Sequence, residues 1–227
     1  MLQTQPLSKP HRTKEEYVYE TLRSAIVRCE MAPGQKLVMD TLSEELGVSS
    51  IPIRTALQRL QAEGLVEITP HTGALVSEIS LDTVTEIFVL LEALESVAFN
   101  VASQKITAED IAELRQLLNE MTEVFETGNA SYWYDLNNQF HLGIADITEM
   151  KMLRRFTSRA LDSRDRLRYF LAEPFVIPRM AEAHAEHCQM IDLLESTDTD
   201  RLLPLVSQHN LKAKEAYQNL IENFNKS

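Results

Sequence analysis

Glycine is scarce, at six in 227 residues, and cysteine scarcer, at two. So few glycines argue against a β-rich fold and against a phosphate-binding loop, both of which need backbone freedom at several positions. Cys29 and Cys188 lie far apart and in no CxxC spacing, so neither a disulfide framework nor a thiolate zinc finger is expected. No run of apolar residues approaches the ~18 that a membrane-spanning helix requires. The stretch Met1 to Lys14 is polar and lacks an apolar core, which predicts no signal peptide and a cytoplasmic protein with no membrane partner. Basic side chains are outnumbered 22 to 34, for a net charge of −12. Taken whole, that balance argues against a nucleic-acid binder.

The distribution of charge says something different. Residues 1–80 carry 8 basic and 10 acidic side chains, whereas residues 81–227 carry 14 and 24. The first third is close to neutral and could present a basic face to DNA. The acidic remainder would repel phosphate and help decide which end docks.

What is present is helical periodicity. Residues 1–12 read as a flexible arm. A first helix is predicted from Thr13 to Arg28, with Val18, Leu22, Ala25 and Ile26 on its apolar face. Pro33-Gly34 marks a turn over 31–37. A short helix follows from Asp40 to Leu46, stopped by Gly47. Ser49 is placed to cap another helix that runs to Glu63. Two short strands, Leu65–Thr69 and Ala74–Ile79, flank a turn at Pro70-His71-Thr72-Gly73. From Ser80 onward every segment has helical period, near 81–103, 108–127, 130–147, 150–172, 177–195 and 200–224. Thr107 and Asp110 have the spacing of a capping box, and Pro204 falls awkwardly inside the last helix. The expected fold is mainly α: a winged helix-turn-helix over 1–79, then an all-α bundle over 80–227.

Helix, tight turn, helix and two-stranded wing is an arrangement that reads DNA. Leu42, Leu46 and Val48 would pack on Ile53, Leu57 and Leu60. That packing would hold the Ser49–Glu63 helix so that Ser49, Ser50, Arg54 and Thr55 face a major groove. The wing tip, His71-Thr72-Gly73, would reach the neighbouring minor groove. The stretch MAPGQKLVMDTLSEELGVSSIPIRTALQRLQAEGLVEITPHTGALV resembles the DNA-binding domain of the GntR family of bacterial transcription regulators. The resemblance implies that Ser49, Ser50, Arg54, Thr55, Arg59, Thr72 and Gly73 touch DNA, and it places the protein at the nucleoid. Arg59 reads equally well as a solvated helix residue. Departures from the family pattern matter here. Ser50 stands where an Arg is usual, Ile51 for a Thr, Thr55 for a Glu, and Thr72 for the wing Arg. Two cationic contacts are missing, each worth about one unit of salt slope.

In the bundle, His141, His187 and His209 fall on the apolar faces of three different helices. Three desolvated imidazoles call for a common explanation, and a divalent metal supplies one. Asn137 shares a helix face with His141. Asn137-Asn138-Gln139-Phe140-His141 resembles the D/N-x-x-F-H motif of the FCD domain, the ligand-sensing domain of the FadR branch of that family. Glu186-His187 and His209 resemble its later histidine segments. The resemblance implies a metal site, zinc or nickel, built from Asn137, His141, His187 and His209. It also implies a homodimer formed through the helical domains. Many relatives carry an Arg where Leu91 stands. Three neutral imidazoles and an amide leave the metal its full charge and open positions for an anionic oxygen, so a small carboxylate effector is expected. Arg164, on the apolar face with Phe156, Ala160, Leu167 and Leu171, is a candidate contact for it, or else pairs with an acid of the chain. His184 is a candidate neighbour of the site.

A single winged domain buries little DNA, which points to a homodimer on a pseudo-palindromic, double-stranded operator. The whole reads as a ligand-responsive transcription regulator, with repression relieved by effector as the expected sign. Two alternatives stay open: a constitutive DNA-binding regulator with a purely structural cluster, and a metal-dependent enzyme. Against the enzyme, no HExxH or GxSxG motif is present, and Glu186 is the one conceivable general base near the histidines.

Overall fold

The chain divides into two compact units between Ile79 and Ser80. A computed structural model describes residues 13–69, 73–127, 129–171 and 177–224. The expected arm and the wing-tip residues His71 and Thr72 lie outside the described residues. Among those described are nine helices and three short strands.

In the first unit, α1 (Lys14–Val27) starts where the Thr13 hydroxyl accepts the Glu16 N–H at 3.1 Å. Its buried face carries Val18, Leu22, Ala25 and Ile26. α2 (Met39–Leu46) ends at Gly47, whose φ of +63° allows its N–H to reach back to the Ser43 carbonyl. That left-handed residue turns the chain sharply into α3 (Ser50–Ala62), and a side chain there would strain the backbone. Leu42, Leu46 and Val48 share one core with Ile53, Leu57 and Leu60, against Leu22 and Ile26 of α1. Truncating a core leucine such as Leu60 would cost about 2–5 kcal/mol.

β2 (Val66–Thr69) and β3 (Gly73–Val76) pair antiparallel, from Val66 opposite Val76 to Thr69 opposite Gly73. A third strand, β1 (Lys36–Leu37), joins the free edge of β3, with Lys36 opposite Leu75. The sheet order is β1-β3-β2. Sequence periodicity predicts only a turn at β1, because two residues are too few to show alternation. This strand forms because β3 offers it an edge.

The second unit begins with a reciprocal cap: Ser80 Oγ accepts the Thr83 N–H, and Thr83 Oγ1 accepts the Ser80 N–H. Six helices follow: α4 (Leu81–Ala102), α5 (Ala108–Thr127), α6 (Ala130–Ile147), α7 (Lys151–Leu171), α8 (Ile177–Glu195) and α9 (Thr199–Phe224). Thr107 and Asp110 form the expected capping pair ahead of α5. Pro204 is accommodated within α9. It lies in the second turn, so the helix gives up a single backbone bond there. α4 packs along α9, α7 and α6, while α8 lies between α5 and α9. The apolar stripes converge, with Phe99 of α4 and Phe140 of α6 at 6.4 Å between ring centroids. Phe156 is exposed and off the buried side of α7, contrary to the face expected for that helix, and the buried stripe of α9 runs on through Tyr217 and Ile221.

Candidate functional site

α3 is divided lengthwise. Pro52, Ile53, Ala56, Leu57 and Leu60 are buried, and Ser50, Ile51, Arg54 and Thr55 are exposed on the opposite side. Ser49 is the N-cap residue, but its hydroxyl makes no capping bond, contrary to the expected cap. No acidic side chain sits in the first turn. The leading N–H groups and the hydroxyls are therefore free to meet a phosphate. Thr55 Oγ1 donates to the Ile51 carbonyl at 3.3 Å.

A groove of about 490 Å³ runs beside α3, lined by Lys36, Val38, Arg54, Ile68 and Gly73 among others. Gly73, at φ +94°, has the Lys36 stem beside it; a Cβ on the glycine would lie 3.8 Å from Lys36 Cε. Neither Lys36 nor Arg54 has an ion-pair partner among the described residues. Lys36 is a cation the sequence reading missed, since its strand was not expected. Arg59 behaves otherwise: its guanidinium lies 3.5 Å from the Tyr19 ring centroid and 3.4 Å from Glu16. That contact braces α3 on α1.

The bundle interior holds a second cluster. His141 on α6, His187 on α8 and His209 on α9 are all buried. One nitrogen from each lies within 4.8 Å of the others. Ring centroids are 5.2 Å apart for His141–His187 and 4.8 Å for His187–His209. His187 packs on Phe140 at 4.4 Å and stacks over Trp133. Neither ring nitrogen of His187 has a hydrogen-bond partner among the described residues, nor does Nε2 of His141. Burial pushes the His187 imidazole well below the usual histidine range, with the neighbouring imidazoles acting in the same direction. His209 is lowered too, by burial, against the opposing pull of Glu186. Buried imidazoles with orphaned nitrogens are the donor set a divalent ion needs.

Two carboxylates stand behind these rings. His209 Nδ1 donates to Glu186 Oε2 at 2.7 Å, which leaves Nε2 facing the cluster. Glu95 Oε1 lies 2.9 Å from His141 Nδ1, although off the alignment of a hydrogen bond, and its Oε2 accepts from Asn210 at 2.7 Å. Burial raises the Glu95 carboxyl, but the adjacent His141 outweighs it and holds the group at about 2. Glu186 is likewise raised by burial, yet held at about 2 by His209, Arg179 and Lys212. A carboxylate behind an imidazole fixes its tautomer and raises its basicity as a ligand.

Asn137 and His209 border a cavity of about 40 Å³ together with Arg164, Arg179, Trp133 and Tyr217. Arg164 donates to Asn138 Oδ1 at 2.6 Å. Arg179, in the first turn of α8, donates to Glu186 and to the His209 carbonyl. Sequence reasoning did not find Arg179, because no local signal aims a helix-end cation inward. Trp133 Nε1 is buried without a hydrogen-bond partner among the described residues. His184 faces the seam with α5, where its Nε2 lies 2.9 Å from Thr122 Oγ1 and its ring meets Phe125 edge-on, yet it is near enough to His187 to act on that imidazole. Cys188 is beside it, not beside the cluster.

Comparison with known proteins now decides the class. The gntR family of bacterial regulatory proteins matches residues 14–76, and the FCD domain matches residues 86–212. The chain belongs to the GntR family and carries an FCD domain. This GntR regulator is 25% identical over 211 residues to the HTH-type transcriptional repressor RspR of Escherichia coli, covering 93% of this chain and 92% of that one. It is 31% identical over 123 residues to the E. coli HTH-type transcriptional regulator McbR, covering 54% and 56% of the two chains. The solved E. coli McbR/YncC structure shares its fold, with TM-score 0.75, 21% identity, and coverage of 94% of this chain and all of that one. The GntR regulator is thus a DNA-binding transcription regulator by family, and its relatives are regulators, not enzymes. Among the described residues no helix is long and apolar enough to cross a membrane.

Proposed function

We propose that this GntR regulator is a metal-dependent, ligand-responsive repressor. The winged unit binds a pseudo-palindromic operator as part of a homodimer. Lys36 and Arg54 meet phosphates on either side of the groove beside α3, with Ser49, Ser50 and Thr55 at the leading turn and His71, Thr72 and Gly73 at the wing. Arg59 is assigned to bracing α1. In the FCD unit His141, His187 and His209, with Asn137 as a fourth ligand, would hold a zinc or nickel ion. When bound, the ion supplies a Lewis-acidic position for an anionic oxygen. Arg164 and Arg179 hold a small carboxylate in the cavity they border, while Glu95 and Glu186 hold the His141 and His209 rings. His184 stands outside this set as a packing residue.

One observation carries the metal reading: three buried imidazoles from three helices, with the His187 nitrogens unpartnered. The name of RspR supports the repressor sign. Homodimerisation is supported by exposed apolar side chains on two adjacent helices, Val89, Leu90 and Val97 on α4 and Met152 and Phe156 on α7. An enzyme is disfavoured because Glu186, the conceivable base, is tied to three donors and held strongly acidic. The small cavity favours one competing reading, a constitutive regulator stapled by its metal.

Metal analysis of the purified chain tests the site, with His141→Ala and His187→Ala alongside. About one ion per chain, absent from both variants, is expected; none after dialysis against zinc and nickel salts would end the metal reading. A thermal-shift screen of small carboxylates on the metal-loaded protein, followed by operator binding, separates the two regulators. Operator affinity unmoved by every carboxylate that binds would leave the metal as a staple.

A further inference from the structure

We propose that Ile51 reads the C5 methyl group of a thymine in each operator half-site, making it a specificity-determining residue. The inference rests on the DNA-binding reading of α3 and extends it to a base.

Ile51 is 71% exposed, more than any other large apolar side chain among the described residues. It sits in the first turn of α3 on the side opposite the buried Ile53, Leu57 and Leu60. Its neighbours on that side are Ser50, Arg54 and Thr55, a hydroxyl, a cation and a hydroxyl. Nothing in the fold requires a β-branched apolar residue there. Isoleucine is a weaker helix former than the straight-chain residues, and its exposure gains no burial. The leading N–H groups of α3, uncapped by the Ser49 side chain and clear of acids, can anchor on a phosphate. That anchor brings the first turn against base edges. In the major groove the thymine methyl is the apolar feature, and every other edge offers hydrogen-bond donors or acceptors. An exposed isoleucine continuous with that surface is complementary to the methyl and to little else there. The residue packing on Ile51 is then a base, and not a second protein.

The test uses the full chain and a duplex library with a random centre, selected at physiological salt. Each thymine of the enriched sequence is replaced singly by deoxyuridine, which removes only the methyl group. Fluorescence anisotropy then gives the affinities of wild type, Ile51→Ser and Ile51→Asn, neither of which carries a methyl group. One thymine per half-site is expected at which deoxyuridine weakens wild-type binding about fourfold, the worth of one buried methyl. Both variants should bind the thymine and deoxyuridine duplexes equally. Far-UV circular dichroism confirms that the variants are folded, as expected for so exposed a position. If no thymine position matters to wild type, or if the variants keep the same deoxyuridine loss, the proposal fails. A uniform weakening of the variants on all sequences would also overturn it, by assigning Ile51 to the backbone. Failure to enrich any sequence would instead overturn the DNA reading beneath it.

Discussion

Replacing His187 by leucine should stabilise the metal-free protein and abolish its response to metal. The imidazole is fully buried, held neutral, and without a partner for either nitrogen among the described residues. An unsatisfied buried polar group costs about 1–3 kcal/mol, and leucine is close in size and has no polar atom. Imperfect fit against Phe140 and Trp133 takes back up to about 1.5 kcal/mol. The net expectation for the stripped protein is a gain of about 1 kcal/mol, a rise in Tm of about 2–4 °C. Zinc or nickel reverses the ranking. At free metal about 1,000 times Kd, binding adds about 4 kcal/mol to wild type and nothing to the variant. Scanning calorimetry on chelator-stripped and reloaded samples reads both effects. If His187→Leu is destabilised by several kcal/mol when stripped, and still gains from metal, the imidazole is an ordinary packed core residue and the reasoning is refuted.

Three further outcomes are expected. Lys36→Ala should lower the salt slope of DNA binding by about one unit, as Arg54→Ala should; Arg59→Ala should leave the slope alone and destabilise the winged unit by up to about 1 kcal/mol through loss of the Tyr19 contact. Titrations of operator binding across a salt series and urea unfolding would check both, and equal slopes for all three variants would refute the assignment. Metal-free stability should fall as pH drops below about 6.5, because the unfolded histidines take up protons there while the lowered His187 and His209 do not; a further loss should begin near pH 4.5 and continue toward 2, where the depressed Glu95 and Glu186 finally protonate. Urea unfolding at intervals of pH would show a flat profile if those groups were unperturbed. Leu90→Glu, together with Val97→Glu, should convert a dimer to monomer in sedimentation velocity, and an unchanged sedimentation coefficient would remove α4 from the interface.

The element boundaries were legible because they are set by neighbours in sequence. Thr13, Gly47 and the Thr107–Asp110 pair act over three or four residues, so the sequence displays them directly. The three histidines were legible for a related reason, since each lies on a stripe of helical period. What escaped depends on partners far along the chain. β1 exists because of β3, and with it came Lys36. Arg59 is drawn to Tyr19 and Glu16, some forty residues earlier. His184 and His187 share one stripe of α8, but a stripe is wide enough to meet two neighbouring helices. His184 accordingly goes to α5, and His187 to the interior beside His209. Arg179 and the carboxylates Glu95 and Glu186 carry no local sign of what they touch.

The cavity beside the cluster has a consequence for selectivity. Arg164 and Arg179 border it together with Asn137 and His209, so an occupant meets two guanidiniums. Each guanidinium already has a partner, Asn138 for Arg164 and Glu186 for Arg179. An arriving carboxylate would have to share or displace those bonds, and its gain is the difference between the new charge-assisted contacts and the resident ones. A neutral analogue of the same shape would leave the resident bonds in place and gain little. The pocket would therefore sort small molecules by charge before it sorts them by size.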